Sequence, residues 1–209
     1  MKNRGALIVI EGVDRSGKST QCKKLVEKLN ENNIPATLVC FPDRTTSTGK
    51  LINDYLTKNV ELPDQVIHLL FTANRWELEP NIRKHLTQGV TVIVDRYSFS
   101  GVAYSVAKQA NTENLEWFKN PESGLPKPDG VFYLQLEQNV INGRKGFGEE
   151  RYDCSQFQKK VAECFAYLMD ESWQIIDANK TVDELLKELY GKISEIIDKS
   201  KNKPILRLW

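Results

Sequence analysis

A continuous apolar run, Ala6 to Ile10, is followed by Gly12-Val13-Asp14-Arg15-Ser16-Gly17-Lys18-Ser19. The run reads as a buried strand, and the segment after it matches G-x-x-x-x-G-K-[ST] at every fixed position. From Lys23 to Leu29 apolar and charged residues alternate at helical spacing. Whatever else the chain does, it has to accommodate a strand, a tight anion-binding loop and a helix in this order. The chemistry accounts for the residue types. Gly12 and Gly17 let the backbone turn sharply and aim N–H groups at phosphate oxygens. A helix beginning near Lys18 adds the partial positive charge of its N-terminus. Lys18 can reach terminal phosphates, and the Ser19 hydroxyl can ligate Mg²⁺. A glycine-rich turn that binds nothing would need none of these together, so the pattern implies a bound nucleoside triphosphate.

A chain of 209 residues is long enough for one α/β domain with a large core and short of a second, so a single domain over 1–209 is expected. Lys and Arg number 29 against 28 Asp and Glu, which gives no basic field for nucleic acid or a membrane surface. No apolar run approaches the roughly 18 residues of a transmembrane helix. Met1 to Gly5 enters the first strand almost at once, leaving no room for a signal peptide. Cys22, Cys40, Cys154 and Cys164 are scattered and form no C-x-x-C pair, so neither a disulfide framework nor a zinc site is suggested. The expected compartment is reducing, most simply the cytoplasm, with nuclear or mitochondrial pools left open.

Strand-like and helix-like stretches alternate along the rest of the chain. Strands are expected over Ala36 to Phe41, Val90 to Val94, Val131 to Leu136 and Trp173 to Ile176. Helices are expected over Ser47 to Leu56, Asp64 to Gln88, Tyr97 to Lys108, Ser155 to Glu171 and Thr181 to Ile197. Asp64 is the expected N-cap of the long one, Gly89 its terminator and Pro80 a kink or interruption within it. Asn142 to Glu150, rich in Gly and charge, reads as a mobile loop.

Apolar strands separated by helices form a parallel sheet covered on both faces, and ligands bind beyond the carboxyl ends of its strands. The polar residues following the strands should therefore converge: Asp14 and Arg15, Pro42 to Arg44, Asp95 and Arg96. Asp95 can position Mg²⁺ or its waters. Arg15, Arg44 and Arg96 are more cations than one triphosphate requires and suggest a second phosphate-bearing ligand, although Arg44 and Arg96 would also serve as surface or ion-pair residues. Phe71 and Arg75, four apart, share a helix face. A ring for stacking beside a guanidinium could hold a nucleobase. On spacing alone Phe71 is as readily core, and the pair Ser100 and Tyr104 is equally open.

Several segments together resemble the eukaryotic type of the thymidylate kinase family, among the nucleoside monophosphate kinases. They are Arg-Gly-Ala-Leu-Ile-Val (4–9), Glu-Gly-Val-Asp-Arg-Ser-Gly-Lys-Ser-Thr-Gln (11–21), Phe-Pro-Asp-Arg-Thr-Thr (41–46) and Leu-Leu-Phe-Thr-Ala-Asn-Arg-Trp-Glu (69–77). Val-Asp-Arg-Tyr-Ser-Phe-Ser-Gly-Val-Ala-Tyr (94–104), Gly-Leu-Pro-Lys-Pro-Asp (124–129), Phe-Gly-Glu-Glu-Arg-Tyr (147–152) and the final Leu-Trp continue the pattern over nearly the whole chain. The resemblance implies a three-layer, doubly wound α/β sandwich with a five-stranded parallel sheet, the P-loop nucleoside monophosphate kinase fold. It also implies transfer of the γ-phosphoryl group from ATP·Mg to dTMP, giving dTDP.

By the same resemblance, Phe71 stacks on thymine and Arg75 bonds its edge, with Phe41, Ser100 and Gly101 alongside. Arg44 and Arg96 hold the dTMP phosphate and Asp14 the 3′-hydroxyl, while Tyr104 crowds the 2′ position. Tyr152 and Gln158 fall beside the substrate. ATP lies on Arg15, Ser16, Gly17, Lys18, Ser19 and Thr20, with Arg144 against adenine and Lys180 near it. Mg²⁺ would sit at Ser19 and, through water, at Asp95. Residues around 142–151 form a lid, which carries an extra cation, Lys145, beside Arg144. The family is homodimeric, through helices around 47–58 and 64–88. Arg15, Lys18, Asp95 and Arg96 are the implied catalytic set.

An acceptor that is already an anionic phosphate needs no strong base, so positioning and charge neutralisation carry the reaction. Two other classes compete. A deoxynucleoside kinase needs a carboxylate base for a neutral hydroxyl and has less use for Arg44 and Arg96. A non-catalytic nucleotide-binding protein would not need every catalytic position filled.

Overall fold

The computed structural model describes residues 3–109, 112–136 and 150–209. Five strands, β1 (Leu7–Glu11), β2 (Ala36–Cys40), β3 (Thr91–Asp95), β4 (Gly130–Gln135) and β5 (Trp173–Asp177), form one parallel sheet in the order β2-β3-β1-β4-β5. Every pairing is parallel, with Val9 opposite Val94 on one side of β1 and opposite Val131 on the other. Side chains alternate between the two faces of a strand. Leu7 and Val9 enter one core with Val92, Val94, Val131 and Tyr133, whereas Ala6, Ile8 and Ile10 enter the opposite core with Ile93, Phe132 and Leu134. That two-sided burial is why β1 and β3 read as unbroken apolar runs rather than alternating ones.

The first core is closed by α3 (Asp64–Thr87), α4 (Ser98–Gln109) and α6 (Ser155–Ala166), through Ile82, Leu86, Phe99, Ala103, Val161 and Phe165. The second is closed by α1 (Lys18–Glu31) and α7 (Val182–Ser200), through Cys22, Leu25, Leu29, Leu185, Leu189 and Ile193. The result is the expected three-layer α/β sandwich. A short helix α2 (Ser47–Leu56) packs on α3, and α5 (Leu115–Lys119) runs into a 3₁₀ turn, Asn120–Glu122.

Three expectations need correction. The long helix α3 continues unbroken through Pro80; a proline removes one backbone donor, and packing of Ile82 and Leu86 into the core holds the remaining turns. Its N-cap is Pro63, so Asp64 is the first helical residue, where its carboxylate meets Lys108 Nζ at 2.5 Å. The helix from Ser155 ends at Ala166 rather than Glu171. The remaining boundaries fall within a residue or a few of those expected, and α5 with its 3₁₀ turn was not anticipated at all. The lid segment lies outside the described residues except for Glu150 and Arg151.

Candidate active site

The carboxyl ends of β1, β2 and β3 open onto a cavity of about 830 Å³. It is lined by Asp14, Arg15, Gly17, Lys18, Ser19 and Thr20 from the loop after β1, by Phe41 and Arg44 after β2, and by Asp95 and Arg96 after β3. Phe71 and Arg75 of α3, Ser100, Gly101 and Tyr104 of α4, and Tyr152 line it as well. The loops expected to converge therefore do so.

Gly17, at φ 95°, forms the left-handed turn into α1, whose first turn carries no side-chain cap. Its backbone donors are thus available to an anion. Lys18 folds back on the loop: its Nζ donates to the Val13 carbonyl at 2.6 Å and to Ser16 Oγ at 3.4 Å. Burial, assisted by the charge of Arg96, lowers the Lys18 pKa from 10.5 to about 8, against the pull of Asp95, Asp14 and Glu11. Ser19 Oγ donates to Asp95 Oδ2 at 2.5 Å. A hydroxyl and a carboxylate side by side at a phosphate loop are hard oxygen donors suited to Mg²⁺, which takes few protein ligands and fills its shell with phosphate and water. No cluster of three or more His, Cys, Asp or Glu suited to a metal occurs among the described residues.

Arg96 stands at φ 66° directly after β3, a conformation uncommon outside glycine and one that marks a constrained site. Its guanidinium pairs with Asp14 and donates to the Gly12 carbonyl at 3.1 Å and to Ser100 Oγ at 3.2 Å. Although burial opposes the charge, Tyr104, Asp14, Asp95 and Glu11 hold Arg96 firmly protonated. Burial also works against ionised Asp14, but Arg96 and Lys18 outweigh it and bring its pKa below the usual carboxylate value. Gln158 braces the same carboxylate: Nε2 donates to Asp14 Oδ2 at 2.5 Å, and the Asp14 N–H donates to Gln158 Oε1 at 2.9 Å. Tyr104 donates to that Oε1 at 3.3 Å, and its ring lies 5.4 Å below the Arg96 guanidinium.

Two more arginines face carboxylates of one short segment. Arg44 pairs with Glu150 at 2.7 Å and donates to Asn53 Oδ1 at 3.0 Å. Arg15, at φ 64°, approaches Asp153 at 3.4 Å. Phe71 is half-buried against the cluster of Ile52, Tyr55, Leu56 and Ile67 while also lining the cavity, so it serves both core and pocket. Arg75 is 2% exposed and bonded to Glu122. Breaking such a buried pair from one side typically costs about 3–5 kcal/mol.

Lys180 is outside the cavity lining; its Nζ donates to Glu188 Oε2 at 2.7 Å on the exposed start of α7. Arg144 and Lys145 lie outside the described residues. Sequence reasoning overlooked Glu11, Glu122 and Arg151. Glu11 is fully buried and accepts from the Tyr97 and Ser100 N–H groups at 2.8 and 3.1 Å and from Ser100 Oγ at 2.6 Å. It ties β1 to the start of α4, and burial raises its pKa. The signal was there: an acid closing an otherwise apolar buried strand needs a donor.

The thymidylate kinase family model matches residues 10–189 of this chain. The thymidylate kinase of Danio rerio is 47% identical over 209 residues, which cover 99% of this chain and 98% of that one. That of Homo sapiens is 46% identical over 209 residues, with the same coverage of 99% and 98%. The solved structure of thymidylate kinase from Candida albicans superposes with a TM-score of 0.91 at 42% identity, covering the whole of both chains.

Proposed function

Because the chain belongs to the thymidylate kinase family, we propose that it transfers the γ-phosphoryl group of ATP to the 5′-phosphate of dTMP, giving ADP and dTDP. The observation that carries this reading is a single cavity joining a phosphate loop to a second cationic cluster and an aromatic slot. A deoxynucleoside kinase has less need of Arg44 and Arg96, and the two carboxylates beside the phosphate loop are engaged: Asp14 is paired with Arg96 and Asp95 accepts from Ser19.

In this reading ATP lies along Arg15, Ser16, Gly17, Lys18, Ser19 and Thr20, its phosphates bonded by the backbone donors of α1 and by Lys18. Arg144 and Lys180 attend the adenine side. Arg96 and Arg44 hold the acceptor phosphate, Asp14 the 3′-hydroxyl, and Tyr104, braced by Gln158, closes the 2′ side. Phe71 stacks on the base, Arg75 donates to its edge, and Phe41, Ser100, Gly101 and Tyr152 complete the walls. Mg²⁺ would be held by Ser19 and, through water, by Asp95; when bound it neutralises phosphate charge. Arg15 stabilises the charge spread over the transferring phosphoryl group, and the acceptor oxygen attacks without losing a proton, since it is already an anion.

Placing Arg44 and Arg15 on phosphates requires them to exchange Glu150 and Asp153 for substrate, an exchange of one anion for another that leaves neither cation stripped of charge. We further propose a single domain with a lid around 142–151 and a homodimer formed through α2 and α3. Leu51, Val66 and Leu69 support the latter: they are exposed apolar side chains on the outer faces of those helices. Four free cysteines suit a reducing compartment such as the cytoplasm. No helix among the described residues is long and apolar enough to cross a membrane.

Product identity tests the reaction. With ATP labelled at the γ-phosphorus, Mg²⁺ and dTMP, label is expected in the β-phosphate of dTDP and nowhere else. Label released only as inorganic phosphate would overturn the proposal.

A further inference from the structure

Arg75 reaches the cavity through an enclosed setting built by three elements. Its Nε donates to Glu122 Oε2 at 2.8 Å, and its Nη2 bonds Glu122 Oε1. Thr72 Oγ1, on the preceding turn of α3, donates to the same Oε1 at 2.7 Å. Glu122 itself is fully buried in the 3₁₀ turn after α5. Gly101 of α4 also stands against it, where a Cβ would come within 2.5 Å of Arg75 Nη2. The guanidinium is thus held by a carboxylate and crowded by a bare stretch of helix.

Resting on the reading of Arg75 as the base contact, we propose that Glu122 is a specificity-determining positioning residue. By fixing the guanidinium it selects a 4-oxo pyrimidine nucleotide over a 4-amino one.

An arginine carries five N–H donors and no acceptor. With Nε and Nη2 committed to Glu122, what remains for the cavity is donor alone, the complement of a carbonyl oxygen. A loosely held arginine could swing aside and admit an amino group; a clamped one sets N–H against N–H and leaves both without a partner. Neighbouring groups offer the amino group little relief. The His68 ring atoms Nδ1 and Nε2 lie 2.9 Å from Ser105 Oγ and 3.0 Å from the Phe118 carbonyl, and Ser105 Oγ also donates to the Gly101 carbonyl at 2.8 Å. Burial and the nearby Arg75 charge hold His68 neutral, its pKa lowered to about 4. Ser100 Oγ is bonded to Glu11. Rejection by a buried polar group left unpaired is the strongest form of discrimination between such analogues.

The test compares dUMP with dCMP, which share the absence of a 5-methyl group and differ at position 4 and in the N3 proton that goes with the 4-oxo form, in the full-length enzyme with ATP·Mg. For Glu122→Gln the ratio of kcat/KM for dUMP over dCMP is expected to fall about tenfold or more, while the KM for ATP stays at its wild-type value. Glu122→Asp keeps the charge but draws the oxygens back by one methylene; it is expected to fold readily and to lose selectivity in the same direction, by less. A wild-type ratio in either folded variant would overturn the inference, as would equal losses on both nucleotides, which signify support of the fold alone. A wild-type enzyme indifferent to the 4-substituent would overturn the underlying reading and this inference with it. A selective wild type beside an equally selective variant would overturn this inference only.

Discussion

Lys18 has a pKa of about 8 because burial penalises its charge, yet its proposed role requires that charge. The sign follows directly: the active form is protonated, so activity is complete below the pKa and declines as pH rises through it. We expect kcat/KM for ATP, which reports the free enzyme, to fall above about pH 8 with loss of one proton; a flat profile to pH 10 would contradict the assignment. Arg15 is the second case. Its place on the phosphate loop and its proposed role at the transferring group make Arg15→Gly expected to lower kcat on the order of 10³-fold with a much smaller change in dTMP KM, as read by steady-state kinetics. The residues legible in the sequence were those in a fixed motif or directly after a strand, such as Lys18, Arg44 and Arg96. Glu122 was not legible, because its role arises from a contact 47 positions away in a turn too short to leave a periodic signal.

The five strands were readable because each is an apolar run bounded by polar loops, and β1 and β3 are buried on both faces. Helix α5 escaped notice because a five-residue helix spans little more than one turn and cannot display a face. The segment Glu150 to Asp153, at the end of the expected lid, escaped for another reason: its importance lies in anchorage, which local sequence does not reveal. Arg151 donates from its backbone to the Leu56 carbonyl at 3.0 Å and from Nε to the Tyr55 carbonyl at 2.9 Å, while its guanidinium lies 4.1 Å over the Tyr55 ring. It thereby bonds the Leu56 carbonyl at the end of α2, adds a second donor to the Tyr55 carbonyl beside the Lys58 N–H at 3.2 Å, and anchors the segment that carries Glu150 and Asp153. Its pair with exposed Glu61 contributes little. Arg151→Ala is expected to cost about 1–2 kcal/mol in thermal unfolding and to raise the dTMP KM severalfold with the ATP KM unmoved. A loss confined to stability would detach the segment from substrate binding.

In the whole molecule, the sheet order places β1 and β3 side by side, which brings the phosphate loop against Asp95 and Arg96, and β2 beside them adds Arg44. Convergence of these loops follows from strand order, and the alternation of strands and helices was enough to anticipate it. Helices α2 and α3 carry the exposed apolar side chains Leu51 at 52%, Val66 at 42% and Leu69 at 44%, which a second copy would cover. Leu69→Glu is therefore expected to shift sedimentation from dimer to monomer; a wild-type that sediments as a monomer would remove the dimer from the account. Selection of a pyrimidine deoxynucleoside monophosphate as phosphoryl acceptor by a single cavity is read from ADP formation from ATP·Mg across dTMP, dUMP, dGMP, AMP, UMP and thymidine. Turnover concentrated on dTMP, with none on thymidine, is the result expected from Arg44, Arg96, Phe71 and Arg75 acting together. Preference for thymidine, or transfer to no acceptor while ATP still binds, would contradict it.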